Sequence, residues 1–367
     1  MKRTITAVDR SCIADKQLDV RYSDVSPNHV LDVYLPGSGQ GPHPVIVFVH
    51  GGGFLGGRKD YGPLAPILAC VSQGYALISV EYRLSMEATW PACVHDIKCA
   101  LRFVTAHASE LGIDPERMVL WGTSAGGGIT TAVAATLTGG RVDDLSLGHS
   151  GVSPRLAATV NWFPVTDWIS NAFHHDIPAD KTFLVTRPTT ADAQRYTAQG
   201  WRRVEDAELG FAIEDDLPRA FALSPVRMVQ DEFPPALFQH GTADVIVPFA
   251  DTVRMAQTVN DRVRPGLATL RPLVGEVHGG PGFYAPDNII ATLRWIDERI
   301  GRRHDYTQLP DVGTTSTDVD DGLDPVADDL TGRPGVSAVA TRTLEPVKDR
   351  LEFWGPTPNG AETPRGV

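Results

Sequence analysis

The sequence has little that would take it to nucleic acid, a metal or a membrane. Lys and Arg number 33 against 45 Asp and Glu, a formal net charge of -12 at pH 7. No basic stripe stands out, so nucleic acid is not an expected partner. No run of 18 apolar residues occurs, and no transmembrane helix is expected. Met1-Lys2-Arg3 opens the chain, but no apolar stretch comes after it, so a secretory signal is not expected either. Cysteine is scarce: Cys12, Cys70, Cys93 and Cys99 have no metal-ligand spacing and read as reduced thiols, which fits a cytoplasmic protein. His174-His175-Asp176 groups ligand-type side chains, but adjacent residues point apart on most backbones, so metal is not expected. No internal repeat is visible. The chain does have bulk: 367 residues, 42% of them hydrophobic, enough for a large core.

The most informative segment is Gly122-Thr123-Ser124-Ala125-Gly126, a G-x-S-x-G pattern. Before it, Arg117-Met118-Val119-Leu120-Trp121 reads as a buried strand, and residues 127–137 read as a small-residue buried helix. A strand that turns sharply into a helix around a serine is a nucleophile elbow. Glycine flanks the serine because a Cβ there would crowd the turn. The hydroxyl is then held clear of the sheet at the positive end of a helix.

Three further motifs obey the same logic. His50-Gly51-Gly52-Gly53-Phe54 comes after the apolar run 45–49, a strand ending in a loop whose backbone can approach a substrate oxygen. The N–H groups of Gly52, Gly53 and Ala125 are the candidate oxyanion donors, and His50 reads as a loop-fixing residue rather than a base. His240-Gly241-Thr242-Ala243-Asp244 comes after the strand-like 236–239, which puts Asp244 at a strand's carboxyl end, where catalytic groups collect in open α/β sheets. His278 lies in Gly275-Glu276-Val277-His278-Gly279-Gly280. Taken singly, Asp244 would serve as a helix cap and His278 as a loop histidine. The order Ser124, Asp244, His278 gives them roles: Asp244 orients His278, which takes the Ser124 proton and returns it to the leaving group. Glu276 and Asp251, near these motifs, read as solvated.

The rest of the chain alternates short apolar runs with helical segments. Residues 18–22 and 30–35 alternate apolar and polar and read as antiparallel edge strands, with Pro27 and Asn28 in the hairpin. Runs at 45–49, 76–80, 118–121, 157–162, 236–239 and 267–273 suit buried parallel strands. Helices are expected at about 63–73, 93–110, 125–137, 250–260 and 288–299. Such alternation implies a parallel sheet covered on both faces.

These motifs resemble the α/β-hydrolase esterases of the hormone-sensitive-lipase and feruloyl-esterase-like (BD-FAE-like) groups. The resemblance extends to Glu81-Tyr82-Arg83-Leu84, Trp90-Pro91-Ala92 with 96–101, Gly112-Ile113-Asp114-Pro115-Glu116-Arg117, Pro164-Val165-Thr166-Asp167 and Ser224-Pro225-Val226, covering roughly residues 17–300. It implies an α/β-hydrolase fold: a mostly parallel twisted sheet with helices on both faces, a helical cap insertion and a C-terminal extension. It also implies cofactor-free hydrolysis of a carboxylic ester through an acyl-enzyme. An arylformamidase-like amidase or an acyltransferase in small-molecule metabolism is the alternative within enzymes. A non-catalytic hydrolase-fold binding protein would not need the intact Ser–Asp–His set. The Ser124 elbow and the H-G-T-A-D segment also resemble prolyl-oligopeptidase-type peptidases, whose N-terminal propeller has no counterpart here.

The expected hydrolase domain spans 1–302, with the cap at about 167–223, where Phe173, Phe183, Tyr196 and Trp201 are scattered. Phe54, Thr123, Trp162, Phe283 and Tyr284 are expected to face the pocket, favouring an apolar or aromatic substrate of small or medium size. Residues 303–367 form an acidic, low-complexity extension, with seven aspartates and no Lys or Arg across 311–329, a linker composition. Within it, 344–354 holds Leu344, Val347, Leu351, Phe353 and Trp354, enough apolar surface to dock on the body or on the second copy of a homodimer.

Overall fold

The computed structural model describes residues 2–37, 41–138, 142–174, 203–306 and 308–320. Contacts group Thr4–Val319 as one compact unit, which holds every described element apart from the outermost residues of one small strand pair.

The main sheet has eight strands. Its edge is β2 (Lys16–Arg21), antiparallel to β3 (Val30–Tyr34), which is antiparallel to β5 (Ala76–Val80). From β5 onward every pairing is parallel: β4 (His43–Val49), β6 (Ile113–Thr123), β7 (Ala158–Trp162), β8 (Ala236–Gly241) and β9 (Ala268–Leu273) come next in that spatial order. A separate two-stranded sheet joins β1 (Lys2–Val8) to β10 (Thr314–Asp320).

Side chains alternate between the faces of each strand, and the core divides accordingly. On β4, Val45, Val47 and Val49 enter one cluster, while Ile46 and Phe48 enter the other. On β6, Met118 and Leu120 separate from Val119 and Trp121 in the same way. The first face is covered by α2 (Ala92–Ala106) and α3 (Ala125–Thr136), through residues such as Ile97, Leu101, Ile129 and Val133. The second is covered by the short α1 (Ala65–Leu68) and by α10 (Pro286–Ile300), through Ile67, Leu68, Ile289, Leu293 and Ile296. This is the expected α/β-hydrolase arrangement. Buried on both faces, the central strands have no polar side to show, hence their near-continuous apolar runs.

After β7 the chain leaves the sheet and forms α4 (Trp168–Ala172), α5 (Val204–Leu209), α6 (Leu217–Leu223) and α7 (Pro225–Met228). Asp167 and Asp216 cap α4 and α6 with their carboxylates. After β8 comes α8 (Phe249–Arg262), and after β9 the single turn α9 (Pro281–Tyr284). Among the described residues no helix is long and apolar enough to cross a membrane.

Four expectations change. Residues 30–35, expected at an edge, form β3, which pairs with β2 on one side and β5 on the other, so β2 alone is the edge there. The helix expected over 63–73 is a short α-turn between two 3-10 turns, Gly62–Leu64 and Ala69–Gln73; Pro63 and Pro66 remove two helical donors. The helix from 93 ends at Ala106, not 110. The stretch from 311 is not all linker, because Thr314–Asp320 is a strand; composition alone misses a strand that a distant partner segment stabilises. Phe183, Tyr196 and Trp201 of the insertion, and the apolar stretch 344–354, lie outside the described residues.

Candidate active site

Ser124 ends the turn from β6 into α3 with φ 54 and ψ -121, a left-handed backbone rare for a residue with a Cβ. The flanking glycines allow this. A Cβ on Gly122 would strike the Gly126 carbonyl, and one on Gly126 would strike the carbonyls of Val49 and His50. The serine hydroxyl does not cap its helix. Its Oγ instead lies 2.9 Å from Nε2 of His278. Nδ1 of His278 lies 2.7 Å from Oδ2 of Asp244. The three residues nominated from widely separated segments therefore form one hydrogen-bonded line.

The loops after β8 and β9 make that meeting possible. Thr242 N donates to the Leu273 carbonyl and Ala243 N to the Glu276 carbonyl, each at 3.0 Å, and Gly275 N donates to Thr242 Oγ1 at 2.9 Å. Gly241 has no room for a side chain against Glu276. The two loops are thus fastened side by side. Asp244 is then fixed within its own turn, where Oδ1 accepts from the N–H groups of Ile246 (2.8 Å) and Val247 (3.0 Å). Burial alone would raise its carboxyl. Hydrogen bonds from His240 and His278 outweigh that and hold it well below the usual carboxylate range.

His240 was not among the residues singled out from the sequence, yet it is fully buried and its Nε2 lies 3.0 Å from Asp244 Oδ2. Its only sequence signal is its place four residues before Asp244. Phe163 was also missed. It has φ 37, and its ring meets the His278 imidazole edge-on with centroids 4.6 Å apart.

The glycine loop after β4 lies against the elbow. The side of Gly51 that would carry a Cβ faces the Ser124 Cβ at 3.1 Å. Gly52, Gly53 and Phe54 come next with φ of 133, 59 and 61, and the Gly52 carbonyl accepts from Leu55 and Gly56 (3.3 and 3.0 Å). Among the described residues, no acceptor is engaged by the N–H groups of Gly52 and Gly53. The Ala125 N–H, at the first position of α3, has no intrahelical partner by construction. His50 fixes this loop, as expected. It is buried, its Nδ1 lies 2.8 Å from the Gly51 carbonyl, its Nε2 lies 3.1 Å from Glu81, and its ring stacks on Tyr82. The Tyr82 hydroxyl donates to the His50 carbonyl at 2.8 Å. Arg83, next in line, pairs with Asp96 of α2 at 2.6 Å. The E-Y-R-L segment is therefore a brace for the glycine loop.

Of the expected pocket residues, Phe54 and Thr123 are also buried, at 3% and 4% exposure; Phe54 packs against Trp90 and Trp168 (centroids 6.3 and 5.3 Å), joining the glycine loop to α4. Thr123 directly precedes the serine. Tyr284 is half-buried, its hydroxyl near Gly279 beside His278, and burial pushes that phenol up to about 12. Trp162 and Phe283 differ from expectation. Both are 0% exposed, pack against each other at 5.5 Å within the core, and have no surface to offer a substrate. Being apolar and near a motif suits a core residue as well as a pocket residue. Asp251 is not solvated either. It is buried in α8, accepts from Ser170 Oγ (2.7 Å) and Arg254 (2.9 Å), and burial raises its carboxyl to about 6. Glu276 is half-buried, tucked against Gly280 and Gly282. All four cysteines are free.

The family model that matches this chain is BD-FAE, over residues 31–259, more than half of the sequence and inclusive of the elbow, the glycine loop and Asp244. The chain belongs to the BD-FAE family. It is similar to the probable carboxylic ester hydrolase LipM of Mycobacterium tuberculosis (strain ATCC 25618 / H37Rv), 28% identical over 67% of this chain and 51% of that protein. It is also similar to the carboxylesterase NlhH of Mycobacterium tuberculosis (strain CDC 1551 / Oshkosh), 37% identical over 36% of this chain and 39% of that one. The chain thus spans about half the length, or less, of these curated relatives. Among solved structures, a truncated carbohydrate esterase from gut microbiota superposes with TM-score 0.64 at 24% identity, covering 81% of this chain and all of that one. The Thermogutta terrifontis esterase 2 phosphonylated by sarin does so with TM-score 0.55 at 25% identity, covering 78% of this chain and 94% of that one. The BD-FAE match ends at 259, so His278 enters the site from outside it, through the fastened loops.

Proposed function

We propose that this chain is a serine esterase that cleaves a carboxylic ester of small or medium size through an acyl-enzyme. The observation behind this reading is the line Ser124 Oγ, His278, Asp244, with its 2.9 and 2.7 Å links. Ser124 Oγ attacks the ester carbonyl while His278 Nε2 takes its proton. The new oxyanion is met by the N–H groups of Gly52, Gly53 and Ala125. Collapse of the tetrahedral intermediate breaks the bond to the alkoxy oxygen, which receives the proton from His278. Water, deprotonated by the same nitrogen, then releases the acid and restores Ser124. Asp244 stays ionised throughout and stabilises the imidazolium. No cofactor or metal enters these steps. The names of the mycobacterial relatives, a carboxylic ester hydrolase and a carboxylesterase, support ester rather than amide chemistry.

Residues 167–223 act as a cap in this reading, supported by the packing of Trp168 on Phe54 and on Trp90 (5.1 Å between centroids). Tyr284, half-buried beside His278, remains a candidate pocket residue, with Phe54 buried at the glycine loop and Thr123 at the elbow, and they favour an apolar or aromatic group. The partner is a small molecule, and the free thiols support a cytoplasmic site of action. A fluorophosphonate probe should label the native protein and fail to label Ser124→Ala. A panel of p-nitrophenyl esters and formanilides should show turnover of the esters. Labelling of Ser124→Ala, or turnover confined to the formanilides, would overturn the assignment.

A further inference from the structure

We propose that His240 is a positioning residue for the acid of the triad: it holds Asp244 Oδ2 with a buried N–H and so limits how much of that oxygen's charge reaches His278. The proposal rests on the reading of Ser124, His278 and Asp244 as the catalytic set.

The geometry fixes the direction of this hydrogen bond. Nε2 of His240 faces two oxygens, Asp244 Oδ2 at 3.0 Å and the Val247 carbonyl at 3.0 Å. A carbonyl and an ionised carboxylate only accept, so Nε2 bears a proton and shares it between them. Nδ1 lies 2.6 Å from Thr252 Oγ1, a hydroxyl able to donate to it. The ring is therefore placed from three sides: the Asp244 turn, the segment leading to α8, and α8 itself. Phe249 adds an edge contact at 5.8 Å. His240 has no solvent exposure, so bulk water does not compete with these partners.

Both imidazoles reach the same carboxylate oxygen. Oδ1 is taken by two backbone N–H groups, and Oδ2 is divided between His278 at 2.7 Å and His240 at 3.0 Å. A carboxylate oxygen that already accepts one hydrogen bond is a weaker acceptor for the next. His240 therefore keeps Asp244 from over-stabilising the His278 imidazolium, and it also stops the carboxylate from rotating away. The other titratable neighbours are engaged elsewhere. Glu276, on the His278 loop, turns toward Gly280 and Gly282. Asp251 and Arg254 of α8 pair with each other and with Ser170 and Asp167.

The test compares His240→Phe with His240→Gln in the full chain. Phenylalanine fills the space without the N–H. Glutamine places an amide N–H near the position of Nε2. In His240→Phe the acid limb of kcat/KM for a p-nitrophenyl ester should move to higher pH by about one unit, so that activity on the acid side falls roughly tenfold. His240→Gln should bring the limb back to near the wild-type position. The proton between His278 Nδ1 and Asp244, read as a downfield proton NMR resonance, should move in His240→Phe and return toward its original place in His240→Gln. This second readout does not need turnover. A folded His240→Phe with an unmoved limb and an unmoved resonance would overturn the proposal. So would equal shifts in both variants, which would mark His240 as packing alone. Retained turnover in Ser124→Ala would instead overturn the catalytic reading itself.

Discussion

Ser124 has one interaction to lose and little packing. Ser124→Ala should therefore unfold at the wild-type temperature while turnover falls to background; near-wild-type rates in the purified variant would sink the nucleophile assignment. Asp244→Asn keeps the size of the side chain but offers His278 a donor where an acceptor belongs. A loss on the order of 10³–10⁴ in kcat is expected. The pH profile is set by the same atoms. The Asp244 carboxyl is held far down, first against the opposing effect of burial, by His240 and His278. It therefore stays ionised across the working range and cannot set the acid limb. The limb belongs to the imidazole, which must be neutral to accept the serine proton. We expect kcat/KM to rise to a plateau at roughly pH 7–8. A maximum in acid, or strong inhibition by EDTA, would indicate different chemistry. At this scale the sequence was readable wherever function forces backbone geometry. Glycine at 122, 126, 51 and 52 is required by contacts no other residue permits, and Gly53 by its positive φ, so they announce themselves. His240 and Phe163 do not, because a histidine in a strand and a phenylalanine after one satisfy no visible rule until their partners are in place.

Elements were legible where periodicity alone determines them. The central strands are apolar on both faces, and their positions in the sequence agree with the structure to within two residues, except that β6 begins at Ile113 rather than 118. The 3-10 turns around Pro66 and the pairing of β1 with β10 were not, since each depends on tertiary partners. Helix α5 holds the clearest element-scale consequence. Its Glu208 is buried and contacts Ser85 Oγ, with Cys93 Sγ 3.4 Å from the other oxygen. Ser85 Oγ is also 3.0 Å from the Phe54 carbonyl, which can only accept. The Phe54 carbonyl also accepts from Ser85 N at 2.9 Å, and Ser85 Oγ donates to Glu208. Burial raises that carboxyl to about 8, against the smaller opposing effect of its two partners. The unfolded chain releases the proton near the ordinary value of 4.5. Between those values the folded state binds more protons, so stability contributed here is full below about pH 4.5 and declines as pH rises toward 8. Glu208→Gln mimics the protonated form at every pH. Its melting temperature relative to wild type should rise from pH 5 to pH 8.5. A difference that is constant across that range would show that Glu208 is not protonated in the folded protein.

For the whole molecule, the question is how much chain beyond α10 the proposed chemistry needs. Every residue of the proposed triad and oxyanion hole lies before Phe283, and α10 ends at Ile300. Two later features still bind the body. Tyr306 donates to Asp297 at 2.8 Å, beside Tyr75 and Arg302, and the Gly313 carbonyl accepts from Asp9 N at 2.8 Å just before β10 pairs with β1. The far end of β1 reaches the segment after the glycine loop, where Val8 N donates to the Asp60 carbonyl at 2.9 Å and Ala7 bridges Tyr61. Lys59, in that segment, is tied through its N–H to Glu81, the same carboxylate that steadies His50. Removal of β10 therefore loosens a chain of contacts that ends at the glycine loop, whereas a cut after Asp320 leaves every one of those contacts in place. A protein ending at residue 320 should keep kcat/KM within a few-fold and melt near the full-length temperature. One ending at residue 310 loses a strand's hydrogen bonds, each contributing about 0.5–1.5 kcal/mol. It should melt several degrees lower, with KM and kcat impaired together as the loop loses definition. Calorimetry and p-nitrophenyl ester kinetics on the two truncations separate the cases. If the protein ending at 320 is folded but inactive, residues 321–367 contribute to the site; if both truncations match full length, β10 is dispensable and the glycine loop is held by His50, Glu81 and Tyr82 alone.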